Sequence, residues 1–380
     1  MIQFQIHLPV KSKNMNYLKD LKYIININSF TQNPEGVNSV SKQMSIWLEQ
    51  LGFDDHCYER SSIGNHHLYT SVKTDGIKIL LLGHNDTVFP QGKFENYRED
   101  DEWVYGPGVC DMKGGNIVAL QALRNIYATN GKIENIDFLL VSDEETGSDD
   151  SKLLSSSIAK DYDICFVFEA AGENLEVVTG RKGVGTFTID IEGKASHSGV
   201  RYSDGINANL EAAHKLIALT KLTNLEIGTT VNVGKVEGGI GANTISPSAK
   251  LILELRYTQN SERDRLLSAL EEITNTSYIQ GTKATLSGLI QRDVMEPNEE
   301  QLTLIKRVEA LSNIELLTEQ RGGVSDANIF ASEGVVTLDG FGPLGYGDHT
   351  VKERALKSSF EQRIDLMTKI LEHHQSFKQF

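Results

Sequence analysis

Cysteine is scarce. Cys57, Cys110 and Cys165 are the only three in 380 residues, too few and too scattered for a disulfide framework or a C-x-x-C zinc site. A reducing, cytoplasmic compartment is the expectation. Positive charge is short as well. The chain has 37 Lys and Arg against 52 Asp and Glu, a formal net charge of −15. That balance argues against nucleic acid or an anionic membrane as partner. No apolar run approaches the length of a membrane span. The first twenty residues, MIQFQIHLPVKSKNMNYLKD, hold no uninterrupted apolar core of the kind a secretory signal needs. They read as an irregular arm, with Met15 as an alternative start. Repeats and low-complexity tracts are absent too. What remains is an ordinary globular composition, 39% hydrophobic and 23% charged, long enough for two domains.

Residues 36–51 place Val40, Met44, Ile46, Trp47 and Leu51 at helical spacing and predict an amphipathic helix. Three compact apolar runs follow: IKILLLGH at 77–84, IDFLLVSDEE at 136–145 and DICFVFEA at 163–170. Each is apolar on both faces and rich in β-formers, the pattern of central strands in a mostly parallel sheet. NIVALQALRNIYATNG, residues 116–131, supplies a helix between two of them and ends at Gly131. Strand, helix, strand marks an α/β domain.

The texture changes near residue 183. Phe187, Ile189 and Ile191 alternate with Thr188, Asp190 and Glu192, so one face is wet and the sheet is antiparallel. A helix at 205–222 should turn Ile206, Leu210, Leu216 and Ile217 inward. The strands TTVNVGK and AKLILELRY, the helix RDRLLSALEEITN and the strand KATLSGLI complete a β-α-β-β-α-β order of ferredoxin type. The α/β texture then resumes, with a helix at 298–312, the strand GVVTLDG and a helix at 353–374. The chain therefore divides into residues 1–182 and 293–380, two segments of one α/β domain, and an insertion at 183–292.

All three buried runs end in residues that bind metals. The first ends at His84 and Asp86, the second at Asp143, Glu144 and Glu145, the third at Glu169. In an open α/β sheet, ligands bind beyond the carboxyl ends of the strands, so these residues should converge. Asp111, in GPGVCDMKGG, precedes the helix after the first strand, and His349, in GYGDHT, follows the strand at 335–338. Carboxylates so concentrated repel one another without a cation. Two histidines among them favour zinc over calcium, which takes oxygen ligands alone. The alternative is a set of unrelated solvated loop charges.

The segments GHNDTVFP, YGPGVCDMKGGN, SDEETGS, FEA, GKASHSG, GANTISPSAKLILELRY and GDHT together resemble the two-zinc aminoacylase and carboxypeptidase family. That family includes acetylornithine deacetylase, succinyl-diaminopimelate desuccinylase and, as the nearest likeness, the bacterial glutamate carboxypeptidases. The resemblance implies a zinc-peptidase-like catalytic domain with an inserted lid and dimerisation domain. It implies that Asp111 bridges two zinc ions, that His84 and Glu169 complete one site, and that Glu145 and His349 complete the other. Cobalt or manganese could replace zinc. Asp86 would orient His84 through its other ring nitrogen, and Glu144 would be the general base. A cis peptide is implied at Asp111–Met112. The chain departs from the folate-cleaving relatives in having Met112 where they more often carry an acidic residue, and FEA where they have FEP.

Those roles are physically coherent. A water bridging two zinc ions is acidified toward neutrality, and a nearby carboxylate must take its proton and deliver it to the leaving nitrogen. Adjacent strand-end residues point different ways, so one of Glu144 and Glu145 can coordinate while the other acts as base. His197, in GKASHSGV, reads alone as a surface residue. The resemblance implies instead that it reaches a neighbouring subunit's site in a homodimer and stabilises the oxyanion, with Asn243 as companion. Arg256 and Arg292 read alone as a salt bridge on a wet sheet face and a hinge charge. The resemblance implies that Arg292 holds a substrate carboxylate and Arg256 assists.

The expected function is release of a C-terminal amino acid, glutamate first, from a small peptide or N-acyl substrate with a free carboxylate. An N-acyl-amino-acid deacylase is the second reading, and a metal-binding module without activity is the remote third. GKAS lacks the upstream glycine of a phosphate loop. The pairs His66–His67 and His373–His374 are expected in solvent, and nothing marks Cys110 as a nucleophile.

Overall fold

Ile79–His84, Ile136–Val141 and Ile164–Val167 are buried at every position. Successive side chains of a strand point to opposite faces, and here both faces are apolar. Ile79, Leu81, Phe138, Leu140 and Phe166 enter one core cluster. Leu80, Leu82, Leu139, Val141 and Val167 enter another. Helices Lys113–Asn130 and Lys357–Glu372 cover the first face through Ile117, Leu120, Phe360 and Met367. Helices Ser151–Ala159 and Ala327–Ser332 cover the second through Ile158, Ala159, Ala327 and Phe330. The computed structural model describes residues 17–377; the expected N-terminal arm, Met15 included, lies outside the described residues.

These strands form the middle of a six-stranded sheet. Its order is Asp54–Tyr58, His66–Thr70, Ile136–Val141, Ile79–His84, Ile164–Val167 and Val336–Leu338. The last four run parallel, and the first two add antiparallel at one edge. The expected α/β class with a mostly parallel central sheet is what the chain adopts. Register aligns the strand ends, because His84 pairs with Val141 and Leu82 with Val167. Residues just beyond those positions therefore leave the sheet at one level.

The helix after the first strand is set close to that level by small residues. A Cβ on Gly115 would stand 1.9 Å from the Phe168 carbonyl oxygen, and one on Gly83 would stand 2.1 Å from Asn116 Oδ1. At Gly115 the clash is with backbone and only glycine permits the approach, while at Gly83 a side chain would displace Asn116. The helix ends at Gly131 in the left-handed conformation, φ 70°, as its position in the sequence predicts.

A second sheet is antiparallel, in the order Thr230–Gly238, Ser248–Tyr257, Gly183–Glu192 and Lys283–Arg292. Leu251, Leu253 and Leu255 alternate with half-buried positions, and with Phe187, Ile189 and Ile191 they make a core of their own. Helices Ala208–Thr220 and Asn260–Asn275 lie on that core in a β-α-β-β-α-β order.

The first of these helices departs from expectation. Its inward face carries Ala208, Glu211, Ala212, Lys215 and Leu219, while Leu210 is 44% and Ile217 54% exposed. Lys215 pairs with Glu211 at 2.9 Å and donates to the carbonyls of Ile273, Thr274 and Thr276, the C-terminal end of the neighbouring helix. A buried ion pair, with the Lys215 hydrogens donated to carbonyls, has replaced the expected apolar seam. Ile46 is likewise exposed on helix Pro34–Glu49.

His66 and His67 are buried rather than solvated. His66 Nδ1 accepts the Ser142 amide, and its Nε2 lies 3.0 Å from Asp150. His67 Nδ1 lies 2.8 Å from Asp55. His374 is buried too, while His373 is in solvent as expected. Among the described residues, no helix is long and apolar enough to cross a membrane.

Candidate metal centre

Asp111 stands between two imidazoles. Its Oδ1 is 3.1 Å from His84 Nε2, and its Oδ2 is 3.2 Å from His349 Nε2. Each imidazole faces a further carboxylate. Glu169 Oε1 lies 3.9 Å from His84 Nε2, and Glu145 Oε2 lies 3.0 Å from His349 Nε2. The nearest atoms of His84, Asp111 and Glu145 lie within 4.8 Å of one another. Two imidazole–carboxylate sets thus share one carboxylate.

The aligned strand ends explain the convergence. His84 closes its strand, and Glu169 is two residues past Val167. Glu144 and Glu145 lie in a single 3-10 turn, Glu144–Thr146, that follows the next strand over. His349 is carried by the loop of a small hairpin whose strands are Gly345–Tyr346 and Arg354–Leu356. It adopts φ 60° and leaves 57% of its side chain exposed, so the centre opens to solvent on its side. The Asp111–Met112 peptide bond is cis.

A tier of buried groups fixes these side chains. His84 Nδ1 lies 3.0 Å from the Asp86 main-chain carbonyl and 3.3 Å from its Oδ1. A proton held on Nδ1 would leave the Nε2 lone pair for a metal ion on the Asp111 side. The other Asp86 oxygen accepts from Thr31 Oγ1 at 2.7 Å and from the Glu145 amide at 3.2 Å, tying both sets together. Asn116 donates to the His84 carbonyl at 2.7 Å. Glu353 accepts the amides of Gly108, Cys110 and Asp111 and so shapes the loop that presents Asp111.

Burial and mutual repulsion set the charges. Burial first, then the Asp111 charge, pushes Glu145 up to about 8. The same two causes raise Glu169 well above the carboxylate range. Burial raises Glu144 to about 7 against the pull of Arg292. Burial works against charge on His84, yet Asp111, Asp86 and Glu169 carry it well above its ordinary value. Asp111 and Glu145 raise His349 to about 11. Burial also acts to raise Asp111, but the two imidazoles hold it far down. Carboxyls that resist ionising beside nitrogen donors are what a site for cations looks like. The donor set of two imidazoles, two terminal carboxylates and one shared carboxylate fits a pair of divalent transition-metal ions.

His197, Asn243 and Arg256 touch none of these five residues in the hydrogen bonds and ion pairs described, whereas Arg292 reaches Glu144, the neighbour of Glu145. His197 is exposed, and its Nδ1 accepts the Gly199 amide. The Asn243 carbonyl accepts the Ser198 amide at 3.0 Å, so the two residues share one loop region of the second sheet. Arg256 pairs with Glu254 and donates to the Gly322 carbonyl. Arg292 is 2% exposed, and two carboxylates already occupy it, Glu144 at 3.0 Å and Asp326 at 3.0 Å. In this conformation its guanidinium is not open to a substrate.

Sequence reasoning missed Thr31, Glu353, Asp326 and Ser148. Nothing local marks Thr31 or Glu353. The polar turn GGVSDAN, following two glycines, was the one available sign for Asp326.

Residues 80–373 match peptidase family M20/M25/M40. Carboxypeptidase G2 of Pseudomonas sp. (strain RS-16) is 28% identical over 346 residues, covering 88% of this chain and 83% of that protein. Succinyl-diaminopimelate desuccinylase of Rickettsia rickettsii (strain Sheila Smith) is 26% identical over 386 residues, covering 93% and 97%. Among solved structures, aminopeptidase PepT from Bacillus cereus superposes with a TM-score of 0.77 at 20% identity, covering 94% of this chain and 97% of that one. YXEP from Bacillus subtilis, a dinuclear metal-binding peptidase, gives 0.70 at 14% identity, covering 95% and 98%. At these identities the two structures speak to fold alone.

Proposed function

Because the chain belongs to peptidase family M20/M25/M40, we propose that this hydrolase cleaves an amide bond in a small substrate and releases a C-terminal amino acid, glutamate first. The observation that carries the reading is the division of Asp111, one oxygen toward His84 and Glu169 and the other toward His349 and Glu145. In the proposed assignment those five residues hold two zinc ions. Bound there, the ions supply Lewis acidity, polarising a carbonyl and acidifying water.

The protein's own groups do the rest. Glu144 sits beside the cluster without facing either imidazole, and we assign it as the base that takes a proton from water and returns it to the leaving nitrogen. Asp86 holds the His84 ring and the Glu145 backbone. We assign substrate-carboxylate contact to Arg256, 30% of whose side chain is exposed, in exchange for its Glu254 partner, while Asn243, beyond the opposite end of the strand Ser248–Tyr257, accompanies His197.

Residues 183–292 serve in this reading as an inserted lid and dimerisation domain between segments 1–182 and 293–380. Exposed Ile217 and Val236 line one groove of about 470 Å³ with Leu216 and Ala213. An apolar groove of this kind suits a second copy of the chain, which would bring His197 to its neighbour's site. Cytoplasmic residence is part of the same proposal, supported by the sparse, unpaired cysteines. Deacylation of an N-acyl amino acid is the second reading, supported by the near full-length match to the desuccinylase.

The test is a screen of dipeptides and N-acyl amino acids against the zinc-loaded protein, read as released amine. Preference for a C-terminal glutamate supports the first reading. Preference for short acyl groups supports the second. A protein that binds metal and hydrolyses nothing would return it to a binding module.

A further inference from the structure

The strand Lys283–Arg292 ends at Arg292, where the second sheet returns to the main one. The guanidinium is turned wholly inward. Nη1 donates to Glu144 Oε1 at 3.0 Å, and Nη2 donates to Asp326 Oδ1 at 3.0 Å and also contacts Ser148 Oγ. Nε has no partner and no solvent contact.

The groups that hold the guanidinium are themselves held. Ser148 donates to Asp326 Oδ1 at 2.5 Å, and its amide is fixed by the Asp143 carbonyl at 2.9 Å. Two residues past Asp326, the buried Asn328 amide donates to the carbonyls of Lys182 and Asp293, one on each chain crossing between the sheets. Asp326 and Asn328 thus fix both the fork and the backbone beside it. A substrate clamp needs donors that a ligand can reach. This fork has spent its reachable pair on the protein, and one half of it on the group assigned as the base.

We propose that Arg292 is a positioning residue for Glu144. A fork restrained by Asp326 and Ser148 fixes Oε1 and leaves Oε2 as the oxygen that takes the proton. A planar guanidinium engaged by two carboxylates sets direction as well as charge. The inference rests on the assignment of Glu144 as base. It predicts where the loss falls when Arg292 is changed. A clamp on the substrate carboxylate loses affinity, and only for substrates that have the carboxylate. A residue that aims the base loses turnover for all substrates alike.

The experiment uses the zinc-loaded full chain, with an N-acyl glutamate and its α-amide as paired substrates. Arg292→Ala should lower kcat about ten- to a hundredfold, the scale of a misaimed reacting group. KM should change less than about threefold, with equal losses for acid and amide. Arg292→Lys should recover part of kcat. Ser148→Ala, which strands no charge, should lower kcat in the same direction by less, and it keeps the test valid if Arg292→Ala fails to fold. Calorimetric affinity of the N-acyl glutamate for Glu144→Gln should not change when Arg292→Ala is added. Losses confined to the acid substrate, a fall in that affinity, or unchanged kcat in both Arg292→Lys and Ser148→Ala would overturn the proposal. Full activity in Glu144→Gln alone would instead remove the base assignment beneath it.

Discussion

The Glu353 carboxylate accepts the main-chain amide of Asp111 at 3.2 Å, across 242 residues of sequence. It also takes the amides of Gly108 and Cys110 at 3.0 Å each, and it is 1% exposed. One buried side chain therefore shapes the turn that aims both Asp111 oxygens.

Removing that side chain should be felt in both fold and metal. Glu353→Ala leaves three buried N–H groups without their acceptor, at a cost of about 1–3 kcal/mol for each group that stays unpaired. Metal affinity should fall about ten- to a hundredfold, as expected when a support behind a ligand is lost. Denaturant unfolding and competition with a chelator measure the two effects. Glu353→Gln should lie between. An alanine variant with wild-type metal affinity would detach Glu353 from the site.

The base assignment makes a separate demand. Glu144→Gln should keep the fold and both metal ions while turnover drops by several orders of magnitude. Single-turnover release of amine, measured beside metal content, checks it. Retention of more than a tenth of the wild-type rate would contradict the assignment.

How far such roles can be read without a structure depends on what surrounds each residue. The central strands were legible because both faces are apolar, so IKILLLGH and IDFLLV carry their burial in composition alone. His84, Glu145 and Glu169 were legible as a group because parallel register brings strand ends to one level, whereas Asp111 and His349 sit on loops and joined the set through the family resemblance. The helix Ala208–Thr220 was misread because its inward stripe contains Glu211 and Lys215, which pair with each other and bond distant backbone groups out of water. His66 and His67 were placed in solvent because their partners, Asp150 and Asp55, are not adjacent in sequence. Glu353, Asp326 and Thr31 act through contacts between distant segments, and no local pattern announces that.

The buried pair in the second sheet's core gives a stability prediction. Lys215→Ala removes the charge partner of Glu211, leaving it the Ile279 amide, and the donor to three helix-end carbonyls. The cost should be about 3–5 kcal/mol, typical of stranding one buried charge. Changing Lys215→Met and Glu211→Leu together should recover most of it. Chemical denaturation of the three variants decides the matter. A small loss in Lys215→Ala would mean that Glu211 finds water or another donor.

His374 supplies a dependence on pH. Its Nδ1 lies 2.7 Å from the Leu371 carbonyl and its Nε2 lies 2.6 Å from the Gln375 amide nitrogen, so the folded ring is neutral with both nitrogens satisfied. Burial lowers its pKa. A base depressed on folding binds fewer protons in the folded state. Its contribution is therefore intact above the unfolded value of about 6.5 and is lost as pH falls below it. Wild type minus His374→Gln, measured by denaturation from pH 7.5 down to about 5, should narrow as pH falls. A difference that is flat or widens would contradict the neutral ring.

The dimer reading predicts that Ile217→Asp shifts sedimentation toward a monomer and that His197→Ala lowers kcat about 10²–10³-fold, the scale of losing one oxyanion donor. A fully active monomer would sink it.

The central claim is that Asp111 is shared between two metal ions, and metal stoichiometry tests it most directly. After chelation, reloading with zinc and removal of excess, elemental analysis should find two zinc ions per wild-type chain. His349→Ala should keep the ion held by His84, Glu169 and Asp111, and lose the other at moderate chelator. Asp111→Ala should lose both together while circular dichroism shows the fold intact. One zinc per wild-type chain, or an Asp111→Ala variant that still holds two, would contradict the account.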